Sequence, residues 1–168
     1  MAGLRKGKCY RGIERPYTRK SKFKKKGYIK SVPPNKIVKF DLGNLQKNFE
    51  SSADLITKEK VQIRHNALES ARLIINRRLH KALGNNYRLK LRVYPHHILR
   101  ENKMLTGAGA DRMQSGMQKA FGRPIGLAAQ VQVEQPLFTA YTDSKDIILA
   151  REALKKGISR LPCKCKVI

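Results

Sequence analysis

Residues 66–94, NALESARLIINRRLHKALGNNYRLKLRVY, contain both of the periods from which the fold is read. In the first part Leu68, Ala71, Ile75, Leu79 and Ala82 recur at helical spacing, with Arg77, Arg78 and Lys81 on the opposite side. Asn66-Ala67-Leu68-Glu69 is a capping-box variant with Asn in place of Ser or Thr, and Gly84-Asn85 is a stop signal. With Thr57-Lys58-Glu59-Lys60 as an earlier start signal, the pattern predicts one helix from about Thr57 to Leu83, bent near His65. The period then changes to two. Tyr87, Leu89, Leu91 and Val93 alternate with Arg88, Lys90 and Arg92, a strand with one core face and one wet face, closed by Pro95.

Weaker versions of both patterns lie on either side. Val38, Phe40 and Leu42 alternate with Lys39 and Asp41, predicting a strand over 37–42, and a short strand is expected at Ala53–Ile56. Met113, Met117 and Phe121, spaced by four between Asp111 and Gly122, suggest a short helix. Alternation over 127–134 and the run 137–141 predict two more strands. Asp143-Ser144-Lys145-Asp146 then caps a helix with the stripe Ile147, Ala150, Leu154 and Ile158. Pro162 introduces a tail strand over 163–168. Strands grouped around two main helices, without strict alternation, predict an α+β fold: a mainly antiparallel sheet with both helices packed on it.

Charge separates one end of the chain from the rest. The first thirty residues hold twelve basic side chains and one acid, Glu14. The basic set is Arg5, Lys6, Lys8, Arg11, Arg15, Arg19, Lys20, Lys22, Lys24, Lys25, Lys26 and Lys30, interleaved with Tyr10, Tyr17, Phe23 and Tyr28. A packed core cannot absorb that repulsion, so the segment reads as a basic extended arm over 1–34 whose partner is a polyanion. Pro33-Pro34 marks the boundary with a single globular domain over 35–168. The chain carries a formal net charge of +25. It shows no signal-peptide core, no span long enough for a bilayer and no lipidation signal, which points away from membranes and toward an intracellular protein. Three cysteines (Cys9, Cys163, Cys165) without framework spacing fit a reducing compartment.

Phosphate chemistry explains the basic positions best. Guanidinium groups fork onto phosphate, rings stack on unpaired bases, and the wet strand face (Arg88, Lys90, Arg92) adds a second row of cations. The pair His96-His97 could serve metal binding or acid–base catalysis. Adjacent residues on an extended chain point apart, however, and only Glu101 lies near, so hydrogen bonds to backbone or RNA suit them better. Cys163-x-Cys165 with Cys9 is a weak zinc pattern, and partly buried thiols are the plainer reading. The stretch 103–110, KMLTGAGA, lacks the Lys-Ser or Lys-Thr of a phosphate-binding loop and reads as a flexible loop over about 103–111. It is either an ordinary surface loop or one that enters a crowded RNA site. No catalytic residue, metal or cofactor is assigned.

The strings CYRGIERPYTRKSK, KIVKFDLGN, ALESARLIINRRL, RVYPHHILRENKML and GAGADRMQSGMQKAFGRPIG resemble the large-subunit ribosomal protein family called L-ten-e in archaea and eukaryotes, with a bacterial relative called L-sixteen. The similarity runs from about Cys9 to Leu161, and the lack of a long C-terminal extension looks archaeal. The resemblance implies a hammerhead-type α+β sandwich in the ribosome, hence the cytoplasm, and a structural role, not an enzymatic one. It implies contact with large-subunit rRNA near the five-S rRNA, with neighbouring ribosomal proteins, and with the acceptor and elbow regions of tRNA. It implies no membrane and no independent homo-oligomer. It also places the arm in rRNA and directs the loop Lys103, Met104, Leu105, Thr106, Gly107, Ala108, Gly109, Ala110 and Asp111 toward the peptidyl-transferase centre. In that loop Thr106-Gly107 stands where eukaryotic members have Ser-Cys. Two rival readings are a small RNA-processing enzyme using His96 or His97, and a ribosome-associated regulator that binds RNA only transiently.

Overall fold

Strand β1 is Asp41–Gly43, β2 Ser51–Thr57, β3 Val61–Arg64, β4 Arg88–Leu91, β5 His97–Glu101, β6 Arg123–Val131, β7 Pro136–Thr142 and β8 Cys165–Val167; the helices are α1 His65–Leu83, α2 Ala110–Met113 and α3 Ile147–Ile158. The computed structural model describes residues 4–13, 31–105, 107–114, 116–118 and 122–168. The strands form two antiparallel sheets, one ordered β1-β4-β7-β2-β8 and a smaller one ordered β3-β6-β5. Helices α1 and α3 pack on each other. Helix α3 lies on β2 and β7, and α1 meets β3 and β6. This is the α+β architecture that the two periods predict, with the strands divided between two sheets.

The core follows from register. Leu89 lies opposite Ala140 and Leu91 opposite Phe138, so β4 and β7 turn the same face inward. All four residues are buried, together with Tyr87 and Val93. From the helices come Leu68, Ala71, Ile75, Leu79, Ala150, Ala153 and Leu154, and from the small sheet Val61, Ile63, Ala129 and Val131, all in one continuous cluster. The two helices meet closely at Gly157. A Cβ there would lie 2.5 Å from Cδ1 of Ile75, which is itself fully buried.

Several expected elements change. The segment before His65 is strand β3, not the first turns of a helix. Val61 and Ile63 alternate across a sheet, and pairing with β6 outweighs the Thr57 start signal. Asn66 lies inside α1, and the expected capping box is not formed because Glu69 holds Arg72 instead. Ala82 is exposed, outside the buried stripe. The expected strand over 37–42 shrinks to Asp41–Gly43, although Ile37 is buried in the core. Strand β6 begins at Arg123 and ends at Val131, earlier at both ends than the alternation suggests, and β5 was not anticipated. Met113 ends α2 and is 82% exposed, Met117 is also exposed, and left-handed Gly116 interrupts the expected helix; Phe121 lies outside the described residues. The tail strand is confined to Cys165–Val167.

The start of the basic segment is seated on the small sheet. Gly7–Tyr10 form one turn of 3-10 helix, and Tyr10 is buried with Leu99 and Ala128. The Gln62 side chain donates to the Tyr10 carbonyl at 2.8 Å, and its backbone N–H donates to the Arg11 carbonyl at 3.0 Å. Arg64 lies over the Tyr10 ring at 5.7 Å and donates to the Arg5 carbonyl at 2.9 Å.

Tyr10→Ala should lower unfolding stability by about 3 kcal/mol, as expected for removing a buried ring. Tyr10→Phe keeps the ring and sacrifices the hydroxyl's 3.4 Å contact to the Arg100 carbonyl and its exposed contact with Arg5, together worth about 1 kcal/mol. Urea denaturation separates the two, and equal midpoints for wild type and Tyr10→Ala would show that the docked turn adds no stability. At the helix seam, Gly157→Ala gains about 1 kcal/mol of helix propensity but overpacks Ile75 at a cost of about 1–3 kcal/mol. The expected result is a lower melting temperature that Ile75→Val partly restores in the double variant. Stabilisation by the single change would disprove the close approach.

Candidate nucleic-acid interface

The end of α3 lies against the middle of α1, where Gly157 meets Ile75. The last turns of α1 project Arg77, Arg78 and Lys81, and the end of α3 brings Lys156 and, just beyond it, Arg160. With Ile74 and Ser159 these residues line a cavity of about 480 Å³. An adjoining hollow of about 710 Å³ shares Ile74, Arg77 and Arg160 and extends past Leu73 and Asn76 to Lys36. Among the described residues Glu69 is the one carboxylate lining either hollow, and it is paired with Arg72. The macrodipole favours Lys81 and Lys156, which lie in the last turns of their helices. It does not account for the lack of carboxylates between them. The arrangement can neutralise a chain of phosphates and offers an apolar floor at Leu73 and Ile74.

A second basic surface follows β4. Residues 87, 89, 91, 93 and 95 are buried, whereas 88 and 90 are half-buried and 92, 94 and 96 exposed. Two-residue alternation therefore continues beyond the hydrogen-bonded strand and puts Arg88, Lys90, Arg92, Tyr94 and His96 on one side. Arg88 is engaged with protein, bonding Asp41 at 3.1 Å and lying 5.7 Å from the Tyr141 ring. Lys90 and Arg92 make no ion pair among the described residues. Beyond them Tyr94 stacks on Phe40 at 5.3 Å, and His96 tilts over Tyr94 at 4.6 Å. Phe40 is half-buried and Tyr94 is 48% exposed, so the outer rings form a platform on which a base can stack.

The histidine pair is split as an extended chain requires. His96 joins the ring stack, and His97 opens β5 half-buried. Burial, with a smaller contribution from His96, holds the His97 imidazole below its ordinary pKa. Neither ring is hydrogen-bonded to a carboxylate among the described residues. The pair thus lacks the oriented base that acid–base catalysis needs.

The loop between β5 and β6 is closed at its base and open at its tip. Left-handed Gly122 (φ 76°) lies so near β5 that a Cβ would fall 2.6 Å from the Glu101 carbonyl carbon. Arg100 donates to the Gly122 carbonyl at 2.9 Å. Farther out, Gln114 accepts from the Leu105 N–H at 2.6 Å and donates to the Lys103 carbonyl at 3.4 Å. Lys103, Met104, Leu105, Gly107, Ala108 and Gly109 are exposed, and Ala110 and Asp111 begin α2.

Of the other positions singled out in the sequence, Arg5, Lys6, Lys8 and Arg11 are exposed on the docked N-terminal turn. Tyr10 is 5% exposed, so its ring meets protein and is not presented to a base. Arg15, Tyr17, Arg19, Lys20, Lys22, Lys24, Lys25, Lys26 and Thr106 lie outside the described residues. Among the described residues no group of three His, Cys, Asp or Glu side chains is placed to hold a metal ion, and no helix is long and apolar enough to cross a membrane. Sequence reading missed the α1/α3 cleft and the ring stack. The cleft is tertiary, but the stack was signalled by the even-numbered parity of residues 88 to 96.

Comparison with known proteins gives one consistent result. Residues 14–168 match the family model described as "Ribosomal protein L16p/L10e". The chain is 48% identical to the large ribosomal subunit protein uL16 of Methanospirillum hungatei, over 91% of this chain and 88% of the relative. Identity to the uL16 of Staphylothermus marinus is 45%, over 98% and 92%. Identity to that of Methanococcus aeolicus is 44%, over 98% and 93%.

Proposed function

The chain belongs to the ribosomal protein L16p/L10e family, and from that premise we propose that it is a structural constituent of the large ribosomal subunit, acting in translation by binding large-subunit rRNA. The charge distribution carries the reading. Cations crowd the α1/α3 cleft, the outer side of β4 and the N-terminal segment with few carboxylates among them. Such surfaces neutralise phosphate and release counterions. The family is a structural part of the ribosome, not a family of enzymes, and the split histidine pair agrees with that.

In the finer reading, the Arg5–Lys30 segment and the wet side of β4 hold rRNA near the five-S rRNA, and neighbouring ribosomal proteins pack beside them. The Phe40–Tyr94–His96 stack receives an unpaired base. The Lys103–Asp111 loop extends toward the peptidyl-transferase centre and helps position the acceptor and elbow regions of tRNA without doing chemistry. The resemblance in sequence motifs supports this placement. The tight base and exposed tip of the loop suit a probe that must reach into a crowded site.

Deleting the N-terminal segment would also remove Tyr10 from the small sheet, so the test removes charge by substitution. Lys24, Lys25 and Lys26→Gln in one variant, and Arg77, Arg78 and Lys81→Gln in another, should each weaken binding to large-subunit rRNA. Each should also reduce the slope of log affinity against log salt by roughly 0.7–0.9 per lost phosphate contact. Filter binding over a potassium chloride series reads this, and unchanged slopes would exclude the substituted surface. Replacing residues 103–110 by a Gly-Ser linker should preserve rRNA binding and reduce peptide synthesis by reconstituted subunits. Full synthesis would remove the loop from the proposed role.

A further inference from the structure

Cys163 and Cys165 play no part in the interface above, yet their thiols face each other with the sulfur atoms 3.5 Å apart. Cys165 is the first residue of edge strand β8 and pairs with Thr57. Cys163 lies in the bend just before it, where the chain leaves α3 by way of Leu161 and Pro162. Residues two apart near a strand end share a face, and the bend draws their side chains together. Between them, the Lys164 carbonyl accepts from the Lys58 N–H at 2.9 Å, which fixes the backbone of the pair. Both side chains are half-buried against the rim of the core, within reach of a small solute. No third ligand completes a metal site among the described residues.

We propose that Cys163 and Cys165 form a reversible dithiol–disulfide pair, a modification site oxidised by a peroxide and restored by a small dithiol reductant. The sulfur atoms need to approach by only roughly 1.5 Å to reach bonding distance. The two thiols are not equivalent. The Cys163 S–H stabilises a thiolate on Cys165 and holds that group below the ordinary thiol range, while the Cys163 thiol is pushed well above it. Cys165 is thus the attacking sulfur and Cys163 the resolving one. In the first step the Cys165 thiolate attacks one peroxide oxygen. An S–O bond forms, the O–O bond breaks, and the departing hydroxide takes a proton to become water. In the second step the Cys163 sulfur attacks the Cys165 sulfenic sulfur. The S–S bond forms, the S–O bond breaks, and the leaving hydroxide takes up the Cys163 proton as a second water. Two electrons pass from the thiols to the peroxide. A dithiol reductant reverses the change by thiol–disulfide exchange.

The test uses the full-length folded chain carrying Cys9→Ser, so that the pair supplies the only sulfhydryls. Treatment with hydrogen peroxide should remove two hydrogens from the intact mass and abolish both titratable thiols. Dithiothreitol should return both, and peptide mapping should place the bridge between residues 163 and 165. Cys163→Ser should stop at one added oxygen on Cys165, trapped by dimedone, and Cys165→Ser should react about tenfold more slowly. In the chain that retains Cys9, loss of two hydrogens should precede oxygen addition to Cys9. Independent oxygen addition to both cysteines, dimers linked through either one, or no reaction under conditions that oxidise Cys9 would each overturn the proposal. Because the readouts are masses and thiol counts, they do not depend on whether the chain binds rRNA.

Discussion

The contact of Ile75 with the bare backbone at Gly157 governs the rest of the structure. It lets α1 and α3 approach closely enough to seal one core over the large sheet and the inner face of the small one. It also brings the end of α3, with Lys156 and Arg160, beside the α1 residues Arg77 and Arg78. The cations of the cleft therefore share a site only because the apolar seam beneath them is tight. Ala71, Ala150 and Ala153, all fully buried, continue that seam with small side chains. A wider separation would open a cavity in the core and spread the cleft at the same time, so packing and surface charge are coupled through one residue pair.

A chain with thirty-seven basic and twelve acidic residues must decide which cations to satisfy internally. Those placed against the body are satisfied locally. Arg72 takes Glu69, Arg88 takes Asp41 and the Tyr141 ring, Lys47 takes Asp143, and Arg64 covers Tyr10. Arg77, Arg78, Lys81, Lys156 and Arg160 cluster without an ion pair among the described residues. The part-exposed pairs at Lys47 and Arg88 add little stability and mainly hold side chains in place, whereas Arg72 and Glu69 are largely buried. What remains outward is a repulsive surface, and a polyanion is the partner that relieves it.

Much of this could be read in the sequence where one periodicity dominates. The helix through Leu68, Ile75 and Leu79, the strand through Leu89 and Leu91, and the final helix all carry unmixed patterns. The failures have local causes. Residues 57–64 contain both a helix-start signal and the β-branched pair Val61 and Ile63, and only pairing with β6 decides between them. Met113 and Met117 have helical spacing but no core to face, and left-handed Gly116 breaks the run. The α1/α3 cleft joins residues about eighty positions apart, beyond any periodic signal. By contrast, the Phe40–Tyr94–His96 stack was half legible, because Tyr94 and His96 share the parity of Arg88, Lys90 and Arg92.

Anchoring changes what the basic N-terminal segment can do. On one flank, Tyr10 is buried on the small sheet and Arg11 is hydrogen-bonded to β3. On the other, Ile37 is 3% exposed in the main core, and the Lys36 N–H donates to His65 Nδ1 at 3.4 Å. In the sequence, Arg15 to Lys30 join these two seated flanks. Tyr10 is the residue through which this works. An aromatic ring in a basic segment looks like a base-stacking group, and here it seats the start of that segment on the small sheet.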